Sequence, residues 1–130
     1  MANEITYNTS LVASSTNFTE RIEPGSLSID LANVKMESGV MNIDTTAAGV
    51  IFVLANTPIA NGGMFFFRNL SATISVEVGT HVSGAFVPFL SLKAGEYASG
   101  RLSSGIPDIP LAAKAASSTV DLQFKVFDGA

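Results

Sequence analysis

The chain has 130 residues, 47% of them hydrophobic and only 14% charged, with no cysteine and a formal net charge of −4. That length suits one domain, since domains most often run about 100–150 residues. The missing cysteines exclude a disulfide scaffold, cysteine-ligated zinc, iron–sulfur clusters and thiol catalysis.

The seven basic residues, Arg21, Lys35, Arg68, Lys93, Arg101, Lys114 and Lys125, stand singly and never adjacent. A nucleic-acid binder gathers such residues to neutralise phosphates, so nucleic acid is not an expected partner. Mean hydropathy is high, at +0.38. Even so, the longest apolar run, residues 47–55, has nine members, against the roughly 20 that a spanning helix needs. No membrane partner is expected. The first residues carry no basic stretch followed by an apolar one, so no secretory signal is expected and synthesis is expected in the cytoplasm.

In chain order, residues 1–15 are polar and weakly patterned, which predicts an arm outside the core. Residues 18–22 are expected to open the sheet. In residues 26–31, Leu27, Ile29 and Leu31 alternate with Ser26, Ser28 and Asp30; this period of two is the mark of a half-buried strand. A strand over 40–44 is expected after a turn at Ser38-Gly39. Residues 49–55, apolar on both faces, predict a central strand. Asn61-Gly62-Gly63 reads as a turn into a strand at 64–69. Residues 74–78 alternate again. Pro88 within 85–90 cannot donate to a ladder, so that strand is expected at an edge or at a bulge. Lys93 to Glu96 reads as a turn before a strand at 97–102. A two-proline loop at 103–110 precedes a short strand at 111–115, and residues 120–126 alternate strictly.

Short strands with turn signals every 8–12 residues or so predict an all-β sandwich or barrel. The expected fold is a two-sheet β-sandwich, jelly-roll-like, over residues 16–130, with an extended N-terminal arm over 1–15. An immunoglobulin-like sandwich is the alternative, but its buried Trp and paired Cys are missing.

Chemistry-bearing residues are sparse. The single histidine, His81, lies in a Gly-Thr-His-Val-Ser-Gly stretch without a Gly-x-Ser-x-Gly nucleophile elbow. It reads as a solvated loop residue. One imidazole is too few for a histidine metal site. Glu20, Glu23, Asp121 and Asp128 are dispersed and read as solvated surface, not as the facing carboxylates of a glycosidase. Asn8, Asn17 and Asn69 begin N-glycosylation patterns that read as chance in a chain rich in Asn, Ser and Thr. Of the consecutive rings Phe65, Phe66 and Phe67, at least one must point opposite to its neighbours, and burial on both sides of a central strand is the expected arrangement. No catalytic, cofactor-binding or metal residue is assigned, and the chain does not read as an enzyme.

Low charge is the positive signal. With 14% charged residues against a usual ~25%, the surface must be made largely of small polar and apolar side chains. Such a surface suits a subunit that buries its outside against copies of itself or a partner.

Phe66 to Leu70, Val76 to Gly79, Phe86 to Pro88, Leu92 to Ala98 and Arg101-Leu102 are followed by the alanine-rich residues 112–116 and the strand at 120–127. Together they resemble a pattern common in small virion proteins of tailed bacteriophages. The resemblance covers residues 64–127, about half the chain. It implies a structural protein of the particle with no catalytic residue. In particular it implies similarity to capsid decoration (cement) proteins, homotrimers on the capsid surface that brace the major capsid protein. A tail, neck or fibre component is the alternative within that class. A carbohydrate-binding sandwich is the alternative from another class, and an enzyme comes third.

Overall fold

In the computed structural model, which describes residues 5–17, 19–29, 36–53, 62–102 and 110–128, twelve strands and no helix are present. Among the described residues no helix is long and apolar enough to cross a membrane. The chain divides into two units, Met1–Ala32 and Asn33–Ala130.

The first unit is a long antiparallel ribbon. β1 (Ile5–Asn8) pairs with β4 (Ser26–Ile29), and β2 (Leu11–Ser14) pairs with β3 (Thr19–Ile22). Asn8 faces Ser26 and Leu11 faces Ile22, so three residues on the return strand oppose two on the outgoing one. Gly25, with φ +91°, takes up the extra residue, as only a residue without a Cβ does easily. The strand expected to open the sandwich thus pairs with residues of the expected arm. The first unit ends at Ala32, not at residue 15, because strand pairing makes the ribbon a single element.

The second unit is a two-sheet β-sandwich. Its strands are β5 (Met36–Ile43), β6 (Val50–Val53), β7 (Gly62–Asn69), β8 (Val76–Val82), β9 (Ala85–Leu92), β10 (Tyr97–Arg101), β11 (Leu111–Ala115) and β12 (Val120–Asp128). One sheet has the order β10-β7-β12-β5, the other β6-β11-β8-β9, and every pairing is antiparallel. Four of the pairs are nested: β5 with β12, β6 with β11, β7 with β10 and β8 with β9. A long hairpin with its tip between β8 and β9 has therefore rolled up so that successive nested pairs fall in alternate sheets. That is a jelly roll. The tip is the two-residue turn Ser83-Gly84, with φ of 50° and 81°, the mirror-image turn whose twist matches that of its strands.

Alternation sends Val120, Leu122, Phe124 and Val126 of β12, Phe67 of β7 and Val76 and Val78 of β8 into one core. Phe52 reaches across from β6 to meet Phe67 edge-on, with centroids 5.6 Å apart, and Phe124 at 5.0 Å. Full burial of each such side chain contributes about 1.5–3 kcal/mol.

Several expectations change. Strand 49–55 was expected at the centre of a sheet, but β6 is an edge strand, while the alanine-rich β11 is central. Hydropathy reports what covers the two faces of a strand and is blind to its hydrogen-bonding edges. Ser38-Gly39 is no turn: Gly39 sits within β5 opposite Phe124, whose ring lies 3.6 Å from where a Cβ would be. That is ordinary van der Waals contact, so the ring packs directly over Gly39. Pro88 behaves as expected, since β9 is an edge strand and also bulged, Val78 facing Leu90 while Gly79 faces Pro88. Leu54 and Ala55, Asn61 and residues 103–109 of the two-proline loop lie outside the described residues.

Candidate functional site

Among the described residues the chemistry-bearing side chains do not converge. His81 is not a loop residue: it lies in β8 opposite Phe86, half-buried, with its backbone N–H donating to the Pro110 carbonyl at 2.9 Å. The ladder continues past the point where glycine and serine suggested a loop. Glu20 is exposed on β3. Glu23 makes an exposed ion pair with Arg21 at 3.4 Å, a kind worth about 0–1 kcal/mol. Asp121 accepts a hydrogen bond from Asn42 Nδ2 at 3.0 Å. The side chain of Asp128 lies outside the described residues. Among the described residues no three His, Asp or Glu side chains group as a metal site would require. The ribbon's register slip opens a hollow of about 290 Å³ lined by Asn8, Thr9, Ser10, Glu23 and Gly25, where the already paired Glu23 is the one titratable group.

Asn69 is a structural centre that composition did not reveal. Fully buried, it donates from Nδ2 to the carbonyls of Ile74 (2.8 Å) and Leu92 (3.1 Å) and accepts from the Ser71 N–H at 2.9 Å. Its own N–H donates to the Glu96 carbonyl. One amide thus ties the end of β7 to the start of β8 and to the turn between β9 and β10, and a buried amide must be paired in this way. Its Nδ2 is committed, which closes the Asn69 glycosylation pattern in the folded protein. The Lys93–Glu96 turn is itself locked: Glu96 N–H donates to the Lys93 carbonyl at 3.0 Å, Lys93 N–H donates to Glu96 Oε2 at 2.8 Å, and Gly95 takes φ +78°.

What the fold does assemble is a face. On β12 the even-numbered residues 120–126 are buried, so Asp121, Gln123, Lys125 and Phe127 point away from the core. The register sets Tyr97, Arg68, Gln123 and Val40 in one cross-strand row and Ser99, Phe66, Lys125 and Ser38 in the next; Arg101 follows opposite Met64. Phe66 was expected to be buried on the far side of a central strand. Instead it is half-buried on this outer face, stacked on Tyr97 with centroids 6.0 Å apart, while Phe65 and Phe67 stack at 4.7 Å toward the core. Along that side of β7, Met64 is buried, Phe66 half-buried and Arg68 exposed, so the face opens to solvent toward the Arg68 end. Tyr97 is 67% exposed and Val40 59%. Cations that stand far apart in the sequence, Arg68, Arg101 and Lys125, share this face.

The chain matches no known protein family, and no curated protein is similar to it.

Proposed function

We propose that this chain is a virion structural protein, a capsid decoration subunit that associates with itself as a trimer and braces the major capsid protein on the outside of a phage head. The observation that carries this reading is the apolar exposure on a charge-poor surface. Leu11, Val12, Ile22 and Leu27 of the ribbon and Met36, Val40, Val87 and Phe89 of the sandwich all reach solvent, on a chain with 14% charged residues. Apolar area of this kind is what association removes from water. Jelly rolls occur among viral capsid and lectin domains, an analogy of fold that supports the reading without carrying it. Bracing would be mechanical: contacts available only on the expanded shell favour that state by mass action.

The test is light scattering on the purified chain, then co-sedimentation with empty phage heads before and after expansion. A trimer that sediments with expanded heads is the expected result; a monomer that ignores both forms ends the proposal. A second reading, a carbohydrate-binding module, is favoured by one feature, the exposed Tyr97 ring stacked on Phe66. It requires saturable glycan binding that is lost in Tyr97→Ala.

A further inference from the structure

The outer face of the β10-β7-β12-β5 sheet has a charge imbalance opposite in sign to that of the whole chain. Arg68, Arg101 and Lys125 are exposed there, and none of them has an ion pair among the described residues. Strand spacing puts Arg68 and Lys125, diagonal neighbours, roughly 8 Å apart. On these four strands, the carboxylate described on this side is Asp121, already bonded by Asn42. Three cations thus face one occupied anion on a protein of net charge −4. Exposed Tyr97, Val40 and Met36 lie among them.

The N-terminal unit has the complementary character. Residues 1–32 contain Glu4, Glu20, Glu23 and Asp30 against the single Arg21, a formal −3. One side of the β2–β3 pair presents Leu11 and Ile22, cross-strand partners 61% and 55% exposed, next to Ala13 and Glu20. A two-stranded ribbon is marginally stable in water by itself and needs a surface to pack on. An acidic apolar ribbon and a cationic apolar sheet face are complementary in both respects.

We infer that the N-terminal ribbon of one copy docks on the outer β10-β7-β12-β5 face of a second copy, with the carboxylate of Glu20 against Arg68 and Lys125, and Leu11 and Ile22 against Val40. The inference rests on reading the chain as a self-associating subunit and names the contact through which it does so. The contact is heterologous, ribbon to face, so repetition about a rotation axis closes a ring.

The test uses the full chain. Arg68→Glu with Lys125→Glu, both at exposed positions, should raise the dissociation constant of the oligomer by about tenfold or more, as like-charge juxtaposition does, with the far-UV spectrum unchanged. Adding Glu20→Arg should restore much of the affinity. Because the chain has no cysteine, Leu11→Cys in one tagged population and Val40→Cys in another give a readout that does not depend on the charge variants: on mixing with an added two-electron thiol oxidant, the two thiols should give up their protons and join in a disulfide that links the differently tagged chains. An oligomer indifferent to the charge reversal, or without a disulfide between tags, overturns this contact alone. A wild-type monomer removes the contact and the self-associating subunit together. A monomer whose face binds added dextran sulfate assigns the face to a polyanion and likewise overturns the contact.

Discussion

Glu37 shows what one residue costs in this fold. It lies on the inward side of β5 opposite Val126, and its Oε2 is buried without a hydrogen-bond partner. Burial pushes its carboxyl up from the ordinary value of 4.5, because the charged form loses solvation. The folded state therefore holds this proton to higher pH than the unfolded chain does. Stability falls as pH rises from about 4.5 through the raised folded value, and stays lowered above it. Asp44 has the opposite sign: the Thr46 hydroxyl and N–H hold its carboxyl below the usual range, so its contribution is lost on acidification. Glu37→Gln should be more stable than the parent at pH 7, with the difference shrinking toward zero near pH 4. Urea midpoints at the two pH values measure this, and Asp44 cancels in the comparison. An equal difference at both pH values would mean that Glu37 acts through packing. Asn69 is the contrasting case, a buried polar group with its partners in place; Ser71 and Ile74 are near it in the chain, but the Asn-Leu-Ser string gives no sign of its burial or of the bond to Leu92, 23 residues on.

Among elements, the β8–β9 pair shows how glycine is used in a strand. At Gly79 a Cβ would lie 2.1 Å from the Val87 carbonyl oxygen and 2.5 Å from Pro88 Cα, because the bulge that accommodates Pro88 presses the edge strand onto β8. Neither contact can swing aside, as both belong to backbone. Gly84, at the tip of the same hairpin, has open space around it but φ +81°. Gly79→Ala should therefore cost about 3 kcal/mol or more, and Gly84→Ala about 1–2 kcal/mol for the left-handed conformation. Denaturant unfolding of the two variants separates them, and equal costs would remove the close approach as the reason for Gly79. Pro88 signalled an edge or a bulge, and the strand is both. That Gly79 answers to Pro88 is a matter of register, which pairs residues nine apart.

For the whole molecule, the two units differ in what holds them. The sandwich buries apolar side chains between two sheets, with β11 and β12 hydrogen-bonded on both edges. The ribbon has one partner strand at each position, and its large apolar side chains at residues 11, 12, 22 and 27 are exposed. Local openings cost least where burial is least. Amide exchange at dilutions where the protein is monomeric should thus be slower in 111–115 and 120–126 than in 5–14 and 19–29 by about a thousandfold or more. Equal protection would show that the ribbon shares the stability of the core.

The sequence alone determined the class of the fold: a period of two at 74–78 and 120–126, turn residues between the strands and no helical stripe leave an all-β sandwich, whereas the alternation read at 26–31 as a half-buried strand falls in the ribbon, where Leu27 is exposed. It also determined the paucity of charge from which the functional proposal starts. Both are local or compositional properties, carried by neighbours in the chain and independent of what those neighbours meet. Only the tertiary structure decided that residues 19–29 belong with the ribbon, that β6 is an edge strand and β11 a central one, that Asn69 ties three segments together, and that Arg68, Arg101 and Lys125 share a face. Each of these depends on which strand pairs with which, a choice made by the packing of the whole core and by nested pairs up to about ninety residues apart.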